Sequence, residues 1–104
     1  MPSLSNKVAL ITGGSRGIGA AITKRLARDG ADVAFTYSSA KAKADEVVRA
    51  IESAGGKALA ISADSASPDA VRAAVTQTVN SLGRLDILVN NAGLAVMAPL
   101  ADFK

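Results

Sequence analysis

The sequence predicts an α/β chain on a parallel sheet, and three observations carry that expectation. Short apolar runs alternate with longer stretches whose apolar residues recur every three or four positions. Glycines or turn residues bound the segments, and the connections between them are short. The resulting order is βαβαβαβ, an alternation that means α/β. Right-handed crossovers then make the strands parallel, and in a doubly wound sheet their order would be 3-2-1-4. Residues 1–104 read as a single domain, with no linker, repeat or low-complexity stretch.

The first strand is Lys7 to Thr12, "KVALIT", an apolar run ending in a glycine cluster. Its lack of alternation suits a strand buried on both faces. A helix follows from Gly17, with Ile18, Ile22 and Leu26 on one face and Gly30 as its stop. "DVAFTY", Asp32 to Tyr37, is the second strand. Ala44, Val47, Val48 and Ile51 form the apolar stripe of the next helix, which Gly55-Gly56 ends. "ALAIS", Ala58 to Ser62, is the third strand.

Ser67-Pro68-Asp69 then opens another helix. The serine can cap it, proline fits its first turn, and the aspartate complements its dipole. Val71, Val75, Val79 and Leu82 are expected to line its inner face, with Gly83 closing it. The fourth strand is Leu85 to Val89, "LDILV", followed directly by "NNAG".

Composition excludes several function classes. Hydrophobic residues make up 49% and charged residues 20%, which argues against disorder. The net charge of +3 is dispersed, and Lys24, Arg25 and Arg28 read as a solvated helix face, so nucleic-acid binding is not expected. There is no cysteine and no histidine. That leaves no disulfide, no thiolate or imidazole metal site and no Ser-His-Asp triad, and no metal is expected. No apolar stretch reaches the roughly 18 residues that span a membrane, and the start lacks a signal-peptide pattern, so a cytoplasmic location is expected.

The chemistry sits between the first strand and first helix, in Thr12-Gly13-Gly14-Ser15-Arg16-Gly17-Ile18-Gly19. Gly13 permits a tight turn off the strand. Gly17 lets a phosphate approach the backbone, and Gly19 lets the helix pack close to the sheet. The helix N-terminus offers N–H groups and a positive dipole end to a pyrophosphate. With strand before and helix after, the loop reads as a dinucleotide site.

The spacing T-G-x-x-x-G-x-G, together with "NNAG" at Asn90 to Gly93, resembles the short-chain dehydrogenase/reductase family across the whole chain. "ITGGSRGIGAAITKRLARDGADVAF" looks especially like its 3-oxoacyl-[acyl-carrier-protein] reductase branch. The resemblance implies the N-terminal, truncated half of a Rossmann-type doubly wound fold. Ser15, Arg16, Gly17 and Ile18 are cofactor-binding candidates in the loop, and the resemblance places Asp64 and Ser65 beside the adenine. The family more often has an apolar residue where Ser65 stands. Asn90 would steady the sheet, and Asn91, Ala92 and Gly93 would run along the nicotinamide-side ribose.

The second strand ends in Thr36-Tyr37-Ser38-Ser39, with no acid between Asp32 and Asp45. A carboxylate there would accept from a ribose 2′-OH; hydroxyls such as those of Tyr37 and Ser38 suit a 2′-phosphate. Arg16 can add a charge-assisted bond, and Lys41 a more distant field. NADP(H) is therefore expected in preference to NAD(H).

"YSSAK", Tyr37 to Lys41, has the spacing of a catalytic Tyr-x-x-x-Lys. Its place at the end of the second strand puts it at the adenosine end of a cofactor, far from the hydride. By resemblance, the Asn, Ser, Tyr and Lys that reduce a carbonyl lie on elements after the fourth strand. They have no counterparts here, so no catalytic residue is assigned and the chain alone is expected to be inactive. Two alternatives stay open: a non-catalytic dinucleotide-binding module, and a truncated product without function. The substrate implied is a small-molecule or acyl-carrier-protein-bound carbonyl, a 3-oxoacyl thioester, if the missing half is supplied. The fourth strand is expected to be an unpaired edge through which the chain could self-associate, with the apolar tail "LAVMAPLADF" having nothing to pack on.

Overall fold

Every residue of Val8–Thr12 (β1) is buried, which is what an unbroken apolar run at the centre of a two-faced sheet requires. The computed structural model describes residues 4–13, 17–39, 41–63, 67–90 and 97–99. After β1 come Gly17–Arg28 (α1), Asp32–Tyr37 (β2), Lys41–Ser53 (α2), Ala58–Ser62 (β3), Pro68–Leu82 (α3), Ile87–Asn90 (β4) and Met97–Pro99 (β5). They form one sheet in the order β3-β2-β1-β4-β5. The first four strands are parallel, as the sequence predicts.

The pleat divides the strand residues between two faces. Ala9, Ile11, Val33 and Phe35 pack toward Leu26 of α1 and Ala44, Val47 and Ile51 of α2. Leu10, Ala34 and Ile61 face the other way, against Ala74 of α3. Two helices thus cover one face of the sheet and the third covers the other.

Two helix faces differ from expectation. On α1 the buried residues are Gly19, Thr23 and Leu26, while Ile18 is 74% exposed. On α3 they are Ala74 and Thr78; Val71, Val75 and Leu82 are half-buried flanks, and Val79 is 40% exposed. The cause is the same in both. Thr23 Oγ1 donates to Gly19 O and Thr78 Oγ1 to Ala74 O, each at 2.7 Å. With its hydroxyl satisfied by its own helix, a threonine can be buried like a small apolar residue, and close packing on the sheet favours small residues.

The ends of α3 match the sequence signals. Ser67 Oγ accepts from Ala70 N at 3.3 Å, Pro68 and Asp69 stand in the first turn, and Gly83 closes the helix at φ +90°. The Gly83 N–H donates to Val79 O at 2.9 Å.

The expected open edge at β4 is a further correction. β5 pairs antiparallel with β4, in the register Ile87↔Pro99, Leu88↔Ala98 and Val89↔Met97. A parallel neighbour needs a crossover of about a dozen residues or more, and the stretch 91–96 is too short for one. Reversing the chain lets the tail's backbone take up β4's outer hydrogen bonds. Pro99, which lacks an N–H, is tolerated there because β5 is itself an edge strand.

Candidate cofactor site

The candidate site lies where β1 and β2, parallel neighbours, both end. Their shared direction brings the glycine turn and the Tyr37-Ser38 segment to one edge of the sheet. β1 stops at Thr12, whose hydroxyl reaches Val89 O on β4 at 3.5 Å. The chain then turns at Gly13 with φ +69°, a left-handed conformation that a Cβ would disfavour. The Gly13 N–H donates to Thr36 Oγ1 at 2.9 Å. Gly13 therefore shapes the turn, and its amide points into the fold toward β2 rather than toward a ligand.

Gly17 opens α1 with φ +61°. A Cβ built on it meets no atom within 4 Å among the described residues. No described residue fills the space in front of Gly17, and a side chain there would project into it. No acidic residue stands in the first turn of α1, so no side chain of that turn neutralises the positive end of its dipole. Gly19, two residues on, is buried, as close packing on the sheet requires. Ile18 points outward instead, its side chain exposed beside the loop.

Tyr37 ends β2 half-buried, and Ser38 and Ser39 are exposed just beyond it. The Tyr37 carbonyl accepts from Ala63 N at 2.9 Å, which fixes the end of β2 to the end of β3. Lys41 begins α2 and pairs with Asp45 of the same helix at 3.3 Å. Tyr37 and Lys41 thus sit on a strand end and a helix start, not on one helix face, so "YSSAK" lacks a catalytic pair's geometry. Of the remaining expected site residues, Ser15, Arg16, Asp64, Ser65, Asn91, Ala92 and Gly93 lie outside the described residues.

Sequence reasoning missed Thr36. It is fully buried and holds the glycine turn from across the sheet. The available signal was a hydroxyl residue inside an otherwise apolar strand.

A second concavity lies between α1 and α2, lined by Lys24, Ala27, Arg28, Ala50 and Ile51. It sits at the C-terminal halves of the two helices, where the dipoles present carbonyl oxygens, and so it is poorly suited to a phosphate. Among the described residues, no helix is long and apolar enough to cross a membrane.

A family model described as short chain dehydrogenase matches residues 7–104. The chain belongs to the short chain dehydrogenase family. It is 51% identical over 102 residues to an uncharacterized oxidoreductase of Methylorubrum extorquens, covering 98% of this chain and 41% of that protein. A 3-oxoacyl-[acyl-carrier-protein] reductase of Staphylococcus aureus is 47% identical over 88 residues, 85% of this chain and 36% of that one. The chain thus spans about two fifths of the length of these relatives. A short-chain dehydrogenase/reductase homolog of Bacillus subtilis differs: at 44% identity, 95% of this chain covers 91% of it.

Solved structures agree on the fold. A short-chain dehydrogenase/reductase from Serratia marcescens superposes with TM-score 0.84 at 58% identity, over 88% of this chain and 37% of its own. A short chain dehydrogenase from Burkholderia cenocepacia, in complex with NADP, gives TM-score 0.83 at 57% identity, over 97% and 41%. The chain thus belongs to an oxidoreductase family and shares the fold with which that family binds nicotinamide dinucleotides.

Proposed function

We propose that the chain binds NADP(H) across the glycine turn and the end of β2. In this reading it is the cofactor-binding portion of an oxidoreductase that reduces a carbonyl. The observation that carries it is Gly17: left-handed, with no described atom where a Cβ would stand, at the acid-free N-terminus of α1. Those features suit a pyrophosphate, which needs close backbone approach and unopposed N–H groups. Ser15, Arg16, Gly17 and Ile18 would hold the phosphates. Tyr37 and Ser38 would border the 2′-phosphate, Asp64 and Ser65 the adenine, and Asn91 to Gly93 the nicotinamide-side ribose. The bound nicotinamide would supply the hydride; this chain's residues bind and orient it.

NADP(H) is favoured over NAD(H) because β2 ends in hydroxyls rather than a carboxylate. The Burkholderia relative in complex with NADP supports the same choice. The Staphylococcus relative's name supports a 3-oxoacyl thioester as the substrate of the whole enzyme.

The Bacillus relative of nearly this length favours a second reading, in which such a chain acts as a dinucleotide-binding module without chemistry of its own. One experiment addresses both: titrate the chain with NADPH and NADH, then assay 3-oxoacyl thioester reduction. Saturable NADPH binding without turnover supports cofactor binding and the absence of a catalytic set. Turnover by this chain would contradict that absence; no NADPH binding would contradict the site.

A further inference from the structure

We infer that Thr36 is a positioning residue for the phosphate-binding turn, coupling the cofactor-selecting end of β2 to the glycine loop after β1. The inference rests on the cofactor reading above. Thr36 is 0% exposed, and its Oγ1 accepts the Gly13 N–H at 2.9 Å across 23 residues of sequence. The β1–β2 register runs from Val8↔Asp32 to Ile11↔Phe35. Gly13 lies beyond that ladder, in a left-handed turn. The hydroxyl continues the attachment of β1 to β2 at a point where the turn has left the strand pairing.

Three consequences follow from this geometry. The Gly13 N–H is half-buried and its acceptor fully buried, so the bond holds Gly13 in its turn before any ligand arrives. Gly13 stands only four residues before Gly17, so holding it limits where the N–H groups at the start of α1 can lie, which lowers the cost of binding. Thr36 also directly precedes Tyr37 and Ser38, so the selecting segment and the gripping loop share one anchor. Thr36 itself need not touch the cofactor.

The test compares Thr36→Val, which keeps shape but removes the acceptor, with Thr36→Ser, which keeps the acceptor. Dissociation constants for NADPH and NADH are measured on the full chain, with circular dichroism to confirm folding. Hydrogen exchange at the Gly13 amide is followed by NMR. Thr36→Val is expected to weaken both cofactors by the same factor, about tenfold for the loss of one positioning hydrogen bond, and to speed Gly13 exchange. Thr36→Ser is expected to bind like the original chain. If the original chain binds NADPH and Thr36→Val binds equally well, the positioning role is overturned while the site stands. A loss confined to NADPH overturns it too, since Thr36 would then read the 2′-phosphate itself. If the original chain binds neither cofactor, the site reading fails and takes this role with it. Should Thr36→Val not fold, Gly13 exchange in the original chain decides: slow exchange supports the bond, and exchange at the unprotected rate overturns it.

Discussion

Asp86 and Val8 hold each other twice where β4 begins beside β1. The Val8 N–H donates to Asp86 Oδ2, and the Asp86 N–H donates to Val8 O, both at 2.9 Å. The second carboxylate oxygen takes Arg84 Nη2 at 2.7 Å. The Arg84 hydrogen bond, joined by the Val8 bond and the charges of Arg84 and Lys7, outweighs partial burial and holds the Asp86 carboxyl below its ordinary value. A carboxyl depressed in the folded state stabilises the fold above its unfolded pKa. That contribution is lost as pH falls through the folded value. Urea midpoints should therefore be level near neutral pH and fall below about pH 4, the ordinary Asp range. Asp86→Asn should cost about 1.5 kcal/mol at pH 7, as for a hydrogen bond to a charged group, and should shallow the acid slope. An unchanged slope would remove Asp86 from the acid response.

Phe35 is among the largest side chains buried completely, and it lies under both α1 and α2. Phe35→Ala should lose about 3–5 kcal/mol, the range for emptying an aromatic core site. Chemical denaturation measures it. A loss under about 1 kcal/mol would mean that the core can collapse around the gap.

The two ends of α3 should respond through different physics. Ser67→Ala removes the acceptor for Ala70 N and should cost about 1 kcal/mol. Gly83→Ala meets no described atom within 4 Å, so its cost comes from φ +90° alone, about 1–2 kcal/mol. Paired thermal melts of the two variants check both values. A neutral Gly83→Ala would show that the helix end relaxes to another conformation.

At Gly17 stability and binding should separate. Gly17→Ala should cost only about 1 kcal/mol of stability, from its left-handed backbone. NADPH affinity should fall by more than tenfold, because the added methyl stands where the phosphate is proposed to lie. Calorimetric titration beside a melting curve reads both. Intact binding would move the phosphate elsewhere.

Arg16 carries the cofactor preference in this account. Arg16→Ala should weaken NADPH by about 1.5–3 kcal/mol, the range for a hydrogen bond to a charged group, and leave NADH nearly unchanged. Equal losses for both would show that Arg16 does not read the 2′-phosphate.

The four parallel strands and three helices were legible because apolar runs, glycine stops and the Ser67-Pro68 cap are local signals. What escaped was set by partners distant in sequence. Thr23 and Thr78 look polar in a helical stripe, yet their hydroxyls bond within the helix and the residues are buried. The pairing of β5 with β4 depends on a chain reversal that the apolar pattern of the tail does not specify. The glycine loop was readable from its spacing, but its anchor was not. Thr36 gains that role only when β2 lies beside β1.

The most direct test of the central claim is a calorimetric titration of the folded 104-residue chain with NADPH, and separately with NADH. The expected result is saturable NADPH binding in the micromolar range, with NADH bound at least about tenfold more weakly, as the loss of one charge-assisted contact implies. A folded chain that binds neither, or that binds NADH as tightly as NADPH, would contradict the account.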